Sequence, residues 1–315
     1  MRRAMRARIF ARIAGLLGML PPKLASTLMG PPAYLASLGS TGKLATKNLE
    51  LAFQPTLSPE AIRKCQRAVF QNAARVTAEA AFLSQAKQGR RREWLAQNVH
   101  VDDSIEHLHT ALKQGRGAIL ATAHLGNWEL VAAALTDHGV QGAVVGKFKE
   151  RDPSASWVVR MRERNGVRTL AQDSNPKELL RVLKDGQSLG LVCDLEVKRL
   201  DGEFLPFFGE QALTMTAPAA LARASKASIV PVRCIRTPDC PERYTILFEA
   251  PLCWDSTLPR PEARTHLLSN LNETFERWIR ETPEQWAWYQ PRWRARPGSH
   301  HPVPITEHKR RNQPD

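Results

Sequence analysis

One short segment of the chain combines residue types that could activate a hydroxyl group. In ATAHLGNWEL, His124 follows the apolar run GAILATA, and Glu129 stands five residues further on, beyond a turn that contains Gly126. An imidazole with one nitrogen held by a carboxylate can take up a proton through the other nitrogen, as a general base must. The segment therefore predicts His124 as a general base and Glu129 as the carboxylate that orients it.

The turn decides whether these two side chains can meet. Residues five apart in one continuous helix point about 140° away from each other. We expect a strand to end at His124 and a helix to run from Trp128 to Asp137, with Asn127 as its N-cap. A structural histidine beside a surface glutamate is the alternative, and these residues alone leave it open.

The elements around this segment alternate between strands and helices. Apolar runs that predict strands are GAILATA, QGAVVG, VRTLA, SLGLVCD, SIVPVRCI and RYTILFEA. Helical patterns lie between most of them, and a long helix, PEARTHLLSNLNETFERWIRET, follows the last. This alternation predicts an α/β fold with a mainly parallel central sheet flanked by helices.

Composition divides the chain into three parts. Residues 1–42 form a basic amphipathic segment, and residues 43–297 form the catalytic domain, with a helical lead-in over 43–100 and an α/β core over 101–297. Residues 298–315 are rich in Pro, Arg and His, and we expect a disordered tail there.

The charge predicts an anionic partner. The chain has 45 Lys and Arg against 31 Asp and Glu, a net charge of +14, and no acidic residue precedes Glu50. Nucleic acid, an anionic membrane surface and a phosphorylated substrate all fit this charge. The apolar run IFARIAGLLGMLPP is too short to span a bilayer, and Pro31 and Pro32 break the next one. We expect an N-terminal helical arm that contacts the membrane; a basic helix packed on its own domain is the alternative.

Several other kinds of site are not expected. The five cysteines form no CxxC pair, which argues against a disulfide framework and a zinc site. The chain contains no GxSxG, HExxH or GxxxxGK[ST] motif. Cys193 lies in an apolar strand, where a thiol is a poor nucleophile. We therefore expect neither a metal nor a cofactor.

A set of motifs in order along the chain resembles one family. HLGNWE is followed by RxRxG at residues 162–166, a strand ending at Asp194, PFFG at 206–209, PVR at 231–233 and PEQWAWYQPRWRARP at 283–297. Over residues 10–297 this set resembles the bacterial lipid A late acyltransferases, within the wider group that carries an HxxxxD/E motif.

The resemblance implies a reaction and a set of site residues. The family transfers a fatty acyl chain from an acyl carrier protein thioester to a hydroxyl of a primary 3-hydroxyacyl chain on the Kdo-modified lipid A precursor. It implies no cofactor, and a place on the cytoplasmic face of the bacterial inner membrane. Carried over by motif, His124 is the base and Glu129 its partner, and the residues expected to contact substrate are Asn127, Lys147, Arg162, Arg164 and Asp194.

The sequence leaves the partners partly open. Acyl carrier protein is acidic in general and suits a basic surface as donor. The same chemistry on another glycolipid or on a glycerolipid, with acyl-CoA as donor, is the alternative. No nucleic-acid partner is expected, because no recognition motif accompanies the charge. An inactive membrane-binding relative is disfavoured by the presence of both His124 and Glu129.

Overall fold

A seven-stranded sheet runs through the chain, of which the computed structural model describes residues 12–146, 153–196 and 201–298. The strand order is β1-β9-β8-β2-β5-β3-β4, and every neighbouring pair is parallel except β8 with β9. The remaining two strands, β6 and β7, form a separate antiparallel hairpin. The strands are β1 (Val99–Val101), β2 (Ala118–Thr122), β3 (Gly142–Gly146), β4 (Arg168–Ala171), β5 (Ser188–Val192), β6 (Gly202–Phe207), β7 (Glu210–Met215), β8 (Ser228–Thr237) and β9 (Cys240–Phe248).

Helices cover both faces of the sheet, which confirms the predicted fold class. They are α1 (residues 12–17), α2 (Pro22–Leu38), α3 (Ser40–Phe53), α4 (Pro59–Gln85), α5 (Gln88–Asn98), α6 (Glu106–Lys113), α7 (Glu129–Asp137), α8 (Pro153–Arg164), α9 (Pro176–Lys184), α10 (Ala217–Ser225) and α11 (Arg260–Glu281). One hydrophobic core packs α3, α9, α10 and α11 with the C-terminal tryptophans, and the other packs α6, α7 and the end of α4.

The central strand β2 places the histidine. All five of its residues are buried, as expected for a strand with helices on both faces. Its parallel register with β5 pairs Thr122 with Val192. Two residues beyond that pair, the segments that follow β2 and β5 reach His124 and Asp194 at the carboxyl edge of the sheet. In open α/β sheets, ligand sites lie at this edge.

The N-terminal helices differ from the expected break at the prolines. Helix α2 continues through Pro31 and Pro32. A proline has no backbone N–H to donate to the carbonyl four residues earlier. The carbonyls that lack this donor here are those of Thr27 and Leu28, and both residues are exposed to water. No helix within the described ranges is long and apolar enough to cross a bilayer.

The loop after β2 sits directly on β8. Gly126 has a φ of +59°, and a Cβ atom there would lie 1.9 Å from the carbonyl oxygen of Cys234. Backbone hydrogen bonds fix the same loop, from the Gly126 N–H to the Gln285 carbonyl and from the Asn127 N–H to the Cys234 carbonyl. Only glycine fits this position, because both the dihedral and the contact exclude a side chain.

We expect Gly126→Ala to destabilise the protein more than Gly115→Ala. Both glycines have positive φ, but a Cβ at Gly115 meets nothing within 4 Å. The control therefore carries only the dihedral cost of about 1–2 kcal/mol, and Gly126→Ala adds a backbone clash. Urea unfolding measures both variants, and equal free energies of unfolding would contradict this assignment.

Candidate active site

The site is built around a buried carboxylate and a partly exposed imidazole. His124 Nδ1 lies 2.7 Å from Asp194 Oδ1, and the backbone N–H of His124 donates to Asp194 Oδ2 over 2.9 Å. The Asp194 side chain is fully buried, whereas that of His124 is 28% exposed. Because Nδ1 faces the carboxylate, Nδ1 carries the hydrogen in the neutral ring, and Nε2 remains as the proton acceptor.

Asp194 is ionised in this setting. Burial by itself raises the pKa of a carboxyl group, but the charge of His124 and hydrogen bonds from His124 and Trp286 together lower the pKa of Asp194 below its usual value. The Trp286 indole donates to Asp194 Oδ2 over 2.6 Å. At neutral pH the carboxylate is therefore charged and can stabilise an imidazolium beside it.

The C-terminal segment closes the site. Leu125 and Trp286 form an isolated β-bridge, and the Ala287 N–H donates to the His124 carbonyl. Trp286, Trp288 and Trp293 are all buried and pack in the hydrophobic core. Trp286 has a second role that the sequence did not reveal, because its indole N–H donates to the Asp194 carboxylate.

The carboxylate expected to orient His124 lies elsewhere. Glu129, in the first turn of α7, accepts two hydrogen bonds from Arg162 on α8, from Nε over 2.8 Å and from Nη2 over 2.7 Å. The imidazole partner in the structure is Asp194. The reason is topological: adjacent parallel strands bring His124 and Asp194 together, whereas α7 turns Glu129 towards α8.

Asn127 also differs from its expected role as an N-cap. The residue preceding α7 is Trp128, and it makes no capping hydrogen bond through its side chain. The Asn127 amide instead donates to Glu79 Oε2 over 2.8 Å. This contact ties the loop after β2 to α4, so Asn127 fixes the position of the loop that carries His124.

Glu79 is the centre of a buried charged network. Its carboxylate accepts hydrogen bonds from Arg236, Asn127 and Tyr244. The Arg236 guanidinium also donates to Asn72, and the Arg236 N–H to Gln285. The network joins α4, β8, β9 and the C-terminal segment behind the histidine loop. Sequence reasoning missed it, since Glu79 and Arg236 are 157 residues apart.

The basic residues expected to contact substrate lie in different places. Arg162 donates two hydrogen bonds to Glu129. Arg164 donates to the Ser84 carbonyl and lines a separate cleft with Arg91 and Arg92. Lys147 lies outside the described residues.

Two cavities meet beside His124. The inner cavity, about 510 Å³ between the sheet and α7, is lined mainly by apolar residues that include Val131, Leu135 and Val144. The histidine groove, about 200 Å³, is lined by His124, Trp286 and residues of α4. Trp128 and Glu129 line both. The inner cavity is within the size range of small-molecule sites and is suited to an apolar group.

The site holds neither an activated thiol nor a metal cluster among its described residues. Burial first, and then the charge of Asp194, raise the pKa of the Cys193 thiol. No group of three His, Cys, Asp or Glu side chains in the described ranges could hold a metal ion. The arrangement can therefore act by proton transfer through an imidazole held by a carboxylate.

Comparison with known proteins identifies the family. The family model for bacterial lipid A biosynthesis acyltransferases matches residues 3–295. The chain belongs to this family. The chain is thus an acyltransferase, and the resemblance seen in its motifs is confirmed.

Named relatives of this acyltransferase act on two classes of glycolipid. It is 27% identical to the lipid A biosynthesis lauroyltransferase of Escherichia coli (strain K12), over 81% of this chain and 79% of the relative. It is 24% identical to the palmitoleoyltransferase of the same organism, over the same shares. It is also 27% identical to the phosphatidylinositol mannoside acyltransferase of Mycolicibacterium smegmatis, over 70% of this chain and 71% of that protein.

We expect Asp194→Asn to lower turnover about 10²- to 10⁴-fold with little change in KM. An amide at this position can donate to Nδ1, which favours the tautomer with hydrogen on Nε2, where the proton must be accepted. Asp173→Asn, at an exposed carboxylate, is the matched control. Steady-state kinetics checks the prediction, and normal turnover in a folded Asp194→Asn variant would contradict it.

We expect Glu79→Gln to destabilise the protein by about 3–5 kcal/mol, because it leaves Arg236 as an unpaired buried cation. The double variant Glu79→Leu/Arg236→Met removes both charges and should recover much of that loss, yet remain slow because Asn127 has lost its acceptor. Urea unfolding and turnover measure the two effects. Glu60→Gln on the same helix is the exposed control, and equal stability of Glu79→Gln and this control would refute the network's role.

Proposed function

We propose that this acyltransferase moves a fatty acyl chain from an acyl carrier protein thioester to a hydroxyl of a primary 3-hydroxyacyl chain on the Kdo-modified lipid A precursor. One observation carries the proposal: His124, held by Asp194, lines a groove that shares Trp128 and Glu129 with an apolar cavity. A long-chain acyl donor and a lipid acceptor need two such adjoining spaces at one base.

The proposed chemistry is direct transfer. His124 Nε2 takes the proton of the acceptor hydroxyl, and the oxygen attacks the thioester carbonyl carbon. The tetrahedral intermediate collapses with cleavage of the C–S bond, and the thiolate leaves with the proton from the imidazolium. Asp194 stabilises the imidazolium between these steps, as the carboxylate of a catalytic triad does.

Each neighbouring group has a proposed role in that reaction. The inner cavity takes the donor's acyl chain, and the histidine groove takes the acceptor. The basic group of Arg162 stabilises the oxyanion. Arg162 uses Nε and Nη2 on Glu129, so Nη1 is the nitrogen we assign to an anionic substrate group. Lys147 is proposed as a second contact to acceptor phosphate.

The membrane is the proposed place of reaction. Among the described residues, the large apolar side chains exposed to solvent all lie between Ile13 and Leu38. A cluster of this kind beside basic residues suits the anionic cytoplasmic surface of a bacterial inner membrane. The basic surface also suits acidic acyl carrier protein as the donor, and no nucleic acid is proposed.

A second candidate keeps the chemistry and changes the substrates. The similarity to the mycobacterial phosphatidylinositol mannoside acyltransferase covers 70% of this chain at 27% identity, equal in identity to the lauroyltransferase match. Another glycolipid or a glycerolipid acceptor, with acyl-CoA as donor, is therefore the competing proposal.

We expect the lipid A of cells lacking this gene to lack one secondary acyl chain. The native gene should restore the chain, and a His124→Ala copy should not, because the general base contributes about 10²- to 10⁴-fold to the rate. Mass spectrometry of lipid A gives the lost mass and hence the chain length.

Two results would decide against this proposal. An unchanged lipid A spectrum in the deletion strain would move the acceptor to another glycolipid, and a complementing His124→Ala copy would remove the mechanism. Parallel assays of the purified enzyme with acyl carrier protein and CoA thioesters identify the donor.

A further inference from the structure

A basic cleft lies at the junction of α2, α3 and α4. It encloses about 400 Å³. Helix α3 contributes Lys43 and Lys47, α4 contributes Arg63 and Arg67, and the single acidic residue in its lining is Glu50. A phosphate group is the ligand that four converging cations most favour.

The charge of this cleft is not neutralised within the described part of the chain. All four cations are exposed, and none has a carboxylate of the described residues within ion-pair distance. The sequence before Glu50 contains no acidic residue. The cleft therefore presents several uncompensated positive charges in one concave surface.

The rim of the cleft is apolar on one side. Tyr34 and Leu38 line it, and their exposed fractions are 55% and 61%. They continue a row of exposed apolar side chains along α2 that includes Leu24, Leu28 and Leu35. The spacing of 4, 7 and 3 residues from Leu24 to Leu38 places these leucines on one face of the helix.

The position of the four cations beside the exposed apolar row favours one class of anionic ligand over the others. A nucleic acid or an acidic protein would use the charge but would leave the large apolar row exposed to water. A phospholipid uses both, since its phosphate fits the cations while its hydrocarbon lies against the row. The polar-to-apolar order across the cleft matches that of a lipid headgroup region.

We propose that this cleft binds the phosphate headgroup of an anionic phospholipid in the bilayer surface. The site goes beyond the acyl-transfer reaction: it shares no lining residue with the inner cavity or the histidine groove. It rests on the proposed membrane contact and not on the identity of the acceptor.

One helix connects this headgroup site to the reaction site. Helix α4 supplies Arg67 to the cleft and Val76 to the histidine groove. The groove residues of α4 begin at Val69, two residues beyond Arg67, and Val76 lies about 14 Å from Arg67 along the axis at about 1.5 Å per residue. A lipid bound at the cleft thus sets the depth and orientation of the groove relative to the membrane surface.

The test compares two variants of equal charge. The cleft variant is Lys43→Gln/Lys47→Gln/Arg63→Gln/Arg67→Gln. The control is Lys177→Gln/Lys184→Gln/Arg181→Gln/Arg223→Gln, which removes two lysines and two arginines that are exposed and outside the cleft. Sedimentation measures partitioning of the full chain into vesicles of neutral phosphatidylcholine and into vesicles that also contain phosphatidylglycerol.

We expect the native chain to prefer phosphatidylglycerol vesicles. The cleft variant should lose about 1000-fold in partitioning to them, at about 1 kcal/mol for each of the four cations removed, while its binding to neutral vesicles is unchanged. The control should lose less than about 3-fold. Equal losses in the two variants would overturn the proposal, as would no preference of the native chain for phosphatidylglycerol.

Two further measurements separate this proposal from its neighbours. Turnover on detergent-dispersed substrates should be the same in the cleft variant and the native enzyme, so failure of the proposed reaction is scored independently of lipid binding. Millimolar inorganic phosphate should leave vesicle binding unchanged. If it abolished the preference for phosphatidylglycerol, the bilayer would not be the source of the ligand, and the proposal would be wrong.

Discussion

A fully buried carboxylate must receive its hydrogen bonds from its neighbours, and at Asp194 this requirement organises the whole site. Its two oxygens are satisfied by the His124 ring, the His124 backbone and the Trp286 indole. Two of the donors fix the backbone and the ring of His124, and the third comes from Trp286 in the C-terminal segment. The loss of one donor would leave a buried charge short of a partner, which is costly in a low-dielectric interior.

This requirement explains why the C-terminal segment belongs to the candidate active site. Trp286 reaches Asp194, and a few residues later Arg294 is tied to Glu196 through its guanidinium and its backbone N–H. The segment thus contacts both sides of the turn after β5. Behind the histidine loop, the Glu79 network makes a second set of connections to the same segment through Gln285. The long-range contacts that hold the C-terminal segment are therefore the same ones that hold the candidate active site.

The sequence predicts the parts of this structure that depend on local pattern. Apolar runs located the strands β2 to β5, β8 and β9, and the position of His124 at a strand end followed from one of them. The edge strand β1 was missed because three residues carry little periodicity. The hairpin β6–β7 was missed because a turn flanked by polar residues also carries little periodicity. Helix α5 was missed because its polar sequence has one buried residue, Leu95.

The partner of His124 was misassigned because the local sequence does not determine which strands are neighbours in the sheet. The signal was present, since His124 and Asp194 follow two buried strands that a parallel sheet can place side by side.

The proposed mechanism requires Asp194 to fix the tautomer in which His124 Nε2 can accept a proton. Nitrogen-15 NMR of histidine-labelled protein, with the His124 signal assigned by comparison with His124→Gln, reads that tautomer directly. At a mildly alkaline pH, we expect hydrogen on Nδ1 and a bare Nε2 in the native protein. A signal showing hydrogen on Nε2 and a bare Nδ1 would contradict it.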